Sequence, residues 1–293
     1  MIKKKFIFII SSLFILSGCL DSENKNNKEI TFVASTAIVA DIISVITGKK
    51  INSIIPNGFD SHTYMPSAKE LAIIDDADYI IVPDENLNSS LTGLLKLSKN
   101  KNQIIDLNKL ALSTDDIIIN NKNANPHTWT SLSNMRKWSN FLLNFIIKKN
   151  NKDEKIYKEN YNIFIAELDK LEESISKSSL VGKKIVVYHD AWDYFGKEYN
   201  INIIGAIQAR NFVEPTAKEI SLIIKQIKDE NVKSFFGSEV YPSDILDIIE
   251  RDSGAKYISE LSDDILPKNS NFKSKSLYLE MMQMNINNLK KGL

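Results

Sequence analysis

Between Lys152 and Ser179 the chain contains neither Pro nor Gly. Within it Tyr157, Tyr161, Phe164, Leu168, Leu171 and Ile175 recur at spacings of 4, 3, 4, 3 and 4, which is one apolar stripe of a helix. At 1.5 Å per residue such a helix runs roughly 39 Å, about the length of a small domain. A rod of this length cannot fold back on itself, so the rest of the chain must be arranged around it. The stripe covers fewer than four heptads and is read as a packing face rather than a coiled-coil seam.

On both sides of this segment, short β-branched runs alternate with amphipathic ones. Strands are expected over 30–34, 51–56, 79–82 and 103–107, and helices over 38–46, 67–76 and 131–149. Ser67 with Glu70 three residues on has the form of a capping box. In the second half, strands are expected over 184–188, 201–207, 232–236 and 256–258, with helices over 191–199, 217–230, 243–252 and 274–290. This alternation predicts an α/β fold of two parallel-sheet, Rossmann-like lobes, 30–150 and 180–293, joined by a single long rigid helix at 151–179.

The N-terminal residues read as an address rather than as part of the fold. Lys3, Lys4 and Lys5 precede an apolar run from Phe6 to Leu16, too short to cross a bilayer of ~30 Å hydrocarbon thickness as a helix. The run ends in Leu16-Ser17-Gly18-Cys19, which resembles a bacterial lipobox, and Cys19 is the only Cys of the chain. The expectation is a signal peptide over 1–18, a diacylglycerol on the Cys19 thiol and a polar tether over 19–29. Lys+Arg and Asp+Glu are both 37 in the full chain. Removal of 1–18 takes three Lys and no acid, which leaves a net side-chain charge of −3. A nucleic-acid binder would show a basic excess, and none is present. Membrane attachment would rest on the lipid, at roughly 0.8 kcal/mol per buried CH₂.

The chain has three His, His62, His127 and His189, spaced 65 and 62 residues apart. They form no H-x₃-H pair on one helix, so a site built from them needs separate loops to converge. Each lies at a predicted strand-to-helix junction or just before a helix, where ligands gather in open parallel sheets. Each has an aromatic neighbour, Tyr64, Trp129 and Trp192, and an apolar shell limits water access to a metal. Met281, Met282 and Met284 on the closing helix could offer soft sulfur, but core packing is the expected role.

The local sequences carry a family resemblance. Asp60-Ser61-His62-Thr63-Tyr64-Met65-Pro66-Ser67 resembles the first ligand loop of the metal-binding lipoproteins of zinc and manganese ABC importers (solute-binding protein family 9). Asn125-Pro126-His127-Thr128-Trp129 resembles the second, and Val187-Tyr188-His189-Asp190-Ala191-Trp192-Asp193-Tyr194-Phe195 the third. Glu214-Pro215-Thr216 matches a further segment. Leu261-Ser262-Asp263 falls where the family carries a fourth ligand, an Asp, and the stretch from Tyr278 to Leu293 resembles its last helix. The resemblance runs from the lipobox to the last residue. It departs from the usual Asp-Pro-His at both Asp60-Ser61-His62 and Asn125-Pro126-His127. Asp264 adjoins Asp263; the motif register favours Asp263, and at a strand end neighbouring side chains point opposite ways, so one of the two binds.

The resemblance implies a site of His62, His127, His189 and Asp263 that carries Zn(II) as cargo, with Mn(II) or Fe(II) as alternatives. Imidazole suits borderline metals, and four protein ligands fit tetrahedral zinc. Some relatives have Glu at the position of His189, which goes with manganese. Zinc-type relatives often carry a His-rich loop between the first two ligands, and the stretch 114–124 supplies only Asp and Asn. Further implications are an ABC permease as partner, a monomeric protein, and a location at the bacterial envelope outside the cytoplasmic membrane. Imidazole protonation is expected to weaken binding as pH falls through roughly 6.5. Two rivals remain. A surface adhesin with a metal site is compatible with a lipid anchor, though no adhesion repeat is visible. A zinc enzyme would keep one position open for water and use Glu214 or Glu239 as base, but no H-E-x-x-H motif is present.

Overall fold

The computed structural model describes residues 30–98, 104–120, 123–208, 214–237, 243–259, 261–268 and 275–293. The expected signal peptide, Cys19 and the tether lie outside these residues, as does Glu239.

In the first half, β1 (Phe32–Ala34), β2 (Tyr79–Val82) and β3 (Ile104–Asp106) form a parallel sheet in the order β1-β2-β3. The alternation of a strand splits its side chains between two faces. Val33, Ile80 and Val82 join Ile54, Ile74, Leu91 and Leu95 on one face. Ala34 and Ile81 join Ile38, Ile42, Trp138 and Leu142 on the other. The first face is covered by α2 (Ala68–Asp76) and α3 (Ser89–Leu97), the second by α1 (Ala37–Thr47) and α5 (Leu132–Lys149). The capping box at Ser67 and Glu70 is present.

The segment 51–56 was expected as a full strand. It makes one parallel bridge, Ala34 to Ser53, with Ile54 N donating to Ala34 O at 2.8 Å. Pro56, which has no N–H, ends this pairing at once, and the chain turns toward His62. Two helices were not anticipated, α3 and the short α4 (Leu107–Ala111).

In the second half, β6 (Lys184–His189), β7 (Asn202–Gln208), β8 (Ser234–Phe236) and β9 (Lys256–Ile258) form a parallel sheet in the order β7-β6-β8-β9. Around it lie α7 (Asp193–Tyr199), α8 (Ala217–Asp229), α9 (Ser243–Ser253) and α10 (Leu277–Gly292). A two-stranded antiparallel hairpin, β4 (Ile119–Asn120) with β5 (Asn123–Ala124), leads into His127. On α10, Met281 and Met282 are buried as expected, whereas Met284 is on the exposed face.

The long helix is α6 (Glu154–Ser176), and Tyr157, Phe164, Leu168, Leu171 and Ile175 of the apolar stripe are buried. It packs on α1 and α5 and on α10 from the end of the chain. The result is one continuous apolar core. It runs from Ile42 and Trp138 through Leu168 and Ile175 to Val187, Phe236 and Ile286. Two carboxylates cross between the halves as reciprocal helix caps. Asp41 on α1 accepts from Leu277 N at 3.1 Å, Tyr278 N at 3.1 Å and Ser276 Oγ at 2.8 Å, at the start of α10. Glu198 on α7 accepts from Ser133 N at 3.1 Å, in the first turn of α5. Free N–H groups at a helix start favour such anionic partners.

Candidate metal centre

His62 lies in an irregular loop that is fixed by its own side chains. Asp60 Oδ1 accepts from His62 N at 2.8 Å and Thr63 N at 3.1 Å, an Asx turn. Asn88 Oδ1 caps α3 through Leu91 N at 2.8 Å. The Nδ2 of the same residue donates to Ser61 O and Tyr64 O, both at 2.9 Å. One side chain therefore starts a helix and braces the histidine loop.

His127 follows the β4–β5 hairpin and opens a short 3₁₀ turn, Thr128–Thr130, ahead of α5. Its backbone N donates to Asn125 Oδ1 at 3.1 Å, and its Nδ1 lies 2.8 Å from the same oxygen. His189 is the last residue of β6, so a sheet strand aims it. Thr130 Oγ1 donates to His127 O at 2.9 Å and to Ala191 O at 3.0 Å, tying the second loop to the third.

The three rings meet. His62 Nε2 is 2.8 Å from His127 Nε2, and His189 Nε2 is 2.9 Å from it. All the ligand atoms of the trio lie within 4.8 Å of one another. The amide oxygen of Asn125 can only accept, so His127 keeps its proton on Nδ1 and presents a lone pair at Nε2. His62 makes a hydrogen bond to the Leu87 backbone; with its Nε2 facing His127, this bond falls to Nδ1. Lone pairs so close repel unless a cation or proton lies between them.

Burial sets the charge of the cluster. It lowers His62 to about 3, with the neighbouring His189 adding to the effect. His127 is held well below its ordinary value by burial and by both other rings. His189 is lowered by burial to about 4, with Asp264 and Asp60 acting the other way. The imidazoles are thus neutral at physiological pH, the form that binds metal. Burial thus moves the expected protonation of the imidazoles below pH 6.5.

Trp129 lies edge-on to His127, with centroids 5.2 Å apart. Its Nε1 donates to Asp263 O at 2.7 Å, so the aromatic neighbour of His127 also fixes the Asp263 segment. Trp192 instead packs on Phe195 in the core. Asp263 is buried, at 5% exposure. Among the described residues no carboxylate oxygen joins the three-ring cluster at the 4.8 Å spacing. Asp264 accepts from Ser61 N at 3.1 Å. Burial raises both carboxyls well above the usual range. Asp60 adds to the effect on Asp263, and the charge of Asp263 adds to that on Asp264. The loop is held by Asn285 on α10, whose Oδ1 accepts from Ser262 N at 2.9 Å and whose Nδ2 donates to Ser262 O at 2.6 Å.

The sequence reading did not single out Asn57, Asn88 or Asn285 as builders of the site. Asn88 carries a local signal, an Asn directly before Ser-Ser-Leu at a helix start. The other two act on segments distant in the chain and leave no such trace.

The family model described as ZnuA, zinc-uptake complex component A periplasmic, matches residues 32–292. The chain is 27% identical over 300 residues to the metal ABC transporter substrate-binding lipoprotein SloC of Streptococcus mutans, covering 98% of this chain and 97% of that one. It is 28% identical over 297 residues to the iron ABC transporter substrate-binding lipoprotein MtsA of Streptococcus pyogenes, covering 96% and 95%. Among solved structures it is similar to the periplasmic zinc-binding protein TroA of Treponema pallidum. That match has a TM-score of 0.79 at 16% identity, over 90% of this chain and 99% of that one.

Proposed function

The chain belongs to the ZnuA family, and on that premise we propose that it captures a divalent transition metal, Zn(II) foremost, and delivers it to an ABC permease. The observation that carries this reading is the convergence of His62, His127 and His189 Nε2 atoms from two loops and the end of a strand. Three neutral imidazoles favour a borderline cation. Asp263, buried on a loop anchored to Trp129 and Asn285, supplies the fourth, anionic donor in this reading. The ligand set of this reading is His62, His127, His189 and Asp263. The family is one of binding proteins, and no step here requires the metal to activate water.

Mn(II) is the second reading, favoured by Asp264 and Asp60, whose charges reach His189 and which add hard oxygen character to the surroundings. The chain organisation that goes with this function is a signal peptide at 1–18, Cys19 lipidated, a tether at 19–29, a lobe at 30–150, the linking helix at 151–179 and a lobe at 180–293. The related SloC and MtsA carry the word lipoprotein in their names, which supports an anchored, extracytoplasmic protein. Because the main core passes without a break from one sheet to the other, capture and release proceed by movement of loops.

Calorimetric titration of the metal-free protein with Zn(II) and Mn(II) tests the reading. One site per chain is expected, zinc binding more tightly, with His189→Ala weakening both. Equal dissociation constants for wild type and His189→Ala would remove the site.

A further inference from the structure

We propose that Asn57 and Asp264 form a cross-lobe latch that positions the carboxylate loop against the His62 loop and governs how fast the metal leaves. The inference rests on the metal-binding reading and adds to it two residues, neither of which is in the proposed ligand set.

The chain from Ser262 to Leu266 is held at both ends by an asparagine side chain that binds a backbone N–H and C=O together. At the upstream end the clamp comes from its own half, Asn285 on Ser262. At the downstream end it comes from the other half of the molecule. Asn57 Oδ1 accepts from Leu266 N at 2.8 Å, and Asn57 Nδ2 donates to Leu266 O at 2.8 Å. A third bond runs parallel to these, Ser61 N to Asp264 Oδ2 at 3.1 Å. All three span more than 200 residues of sequence. They connect the loop of the first imidazole to the loop of the buried carboxylates.

The geometry is built locally. Phe59 N donates to Pro56 O at 3.3 Å, closing a turn with Asn57 and Gly58 at its centre. Gly58 has φ +95°, a conformation that favours glycine. The turn sets Asn57 at its tip, facing Leu266, which is itself buried. Asp263 lies between the two clamps, directly after Ser262. Its carboxylate can reach the imidazoles only while both hold the loop in place, so the latch preorganises the fourth donor before the metal arrives. Release requires the loop to withdraw. Asn285 stays with α10, so the bonds that part are those of Asn57 and Asp264.

Two hydrogen bonds removed at a partly buried site correspond to about tenfold in rate. The test is the rate of Zn(II) loss from the purified full chain into excess chelator, by stopped flow, with the association rate and the melting temperature of the metal-free protein measured alongside. Asn57→Ala is expected to release zinc about tenfold faster, with a smaller change in association and a metal-free melting temperature lowered by only a few degrees, since the same two hydrogen bonds are lost there. Asn57→Asp keeps the acceptor for Leu266 N but turns an oxygen that cannot donate toward Leu266 O, and is expected to release zinc faster than wild type. Should Asn57→Ala fail to fold, the Asn57→Asp result decides. Release at the wild-type rate in the folded variant overturns the latch and leaves the metal site standing. If the wild type takes up neither Zn(II) nor Mn(II), the metal site falls and the latch with it.

Discussion

Asn125 serves His127 and the segment of His189 with one amide: its Oδ1 lies 2.8 Å from His127 Nδ1, and its Nδ2 donates to Asp190 O at 3.2 Å. The Nδ2 contact orients the amide, so the oxygen is the atom left for the imidazole. The amide thereby selects the tautomer of His127 and ties the second histidine loop to the third.

Asn125→Ala removes the tautomer selection and that tie together, while the backbone of the loop keeps its bond from Asn108 Nδ2 to Pro126 O. Outer partners of metal ligands are typically worth about 10- to 100-fold in affinity. The expected result is a folded protein with zinc affinity reduced by about that factor, measured by competition with a chromophoric chelator. An unchanged affinity would show that the amide does not orient the ligand.

The pH dependence should come from the carboxylates. The lowered imidazoles, near 3 for His62 and 4 for His189, hold no proton in the range where the protein works. Burial raises Asp263 and Asp264 to about 7. A metal must therefore displace a proton from this pair at any lower pH. Affinity should be level above about pH 7 and fall by up to tenfold per unit below it, and Asp263→Asn should flatten the slope. Proton release, measured calorimetrically in buffers of different ionisation enthalpy, gives the count. A flat affinity between pH 5 and 7 would falsify this assignment. In the metal-free protein the two groups oppose each other. The lowered His pKa values add stability as pH rises from about 3 toward 6.5, and the raised Asp values remove it from 3.8 toward 7.

Much of this arrangement is legible in the chain because its causes are local. The stripe from Tyr157 to Ile175 buries the residues its period selects, Tyr161 partly. The Ser67 capping box needs only Glu70 three residues away. His62, His127 and His189 stand out because they are the only His and lie at junctions. What escapes is set by distant pairs. The strand expected at 51–56 has β propensity but too little partner backbone before Pro56. Asn57 meets Leu266 across the halves, a contact that exists only after they are assembled, and Asn285 meets Ser262 only once α10 has packed on its own sheet. Asp264 is engaged by Ser61 N, and its proximity to His189 could not be read from a motif that distinguishes it poorly from Asp263.

The long helix makes the two sheets one folding unit. Leu168 is fully buried within the core shared by both halves. Leu168→Ala is expected to cost about 2–5 kcal/mol, since the cavity lies between α6 and the helices packed on both sides of it. Unfolding by denaturant, followed by near- and far-ultraviolet circular dichroism, should show one transition shifted to lower concentration. Two separated transitions in the wild type would mean that the halves unfold independently. Zinc affinity of the folded variant should match wild type.

The reciprocal caps test the same unity from the surface of the core. Asp41 sits on α1 and receives three donors from the first turn of α10, although burial and the neighbouring Glu280 push its carboxyl up. The three donors act the other way without cancelling that rise; they offer the carboxyl hydrogen bonds in place of water. Removing an N-terminal cap partner costs roughly 0.5–2 kcal/mol, and here the loss falls on a contact between the two halves. Asp41→Ala should lower the melting temperature by about 2–6 °C for a protein of this size. Because Asp41 touches neither the histidines nor the carboxylate loop, metal stoichiometry and affinity should stay at wild-type values. A variant that melts normally would show that Ser276 alone, which donates to Asp41 but also caps α10 itself through Leu279 N at 3.2 Å, is enough to start the helix.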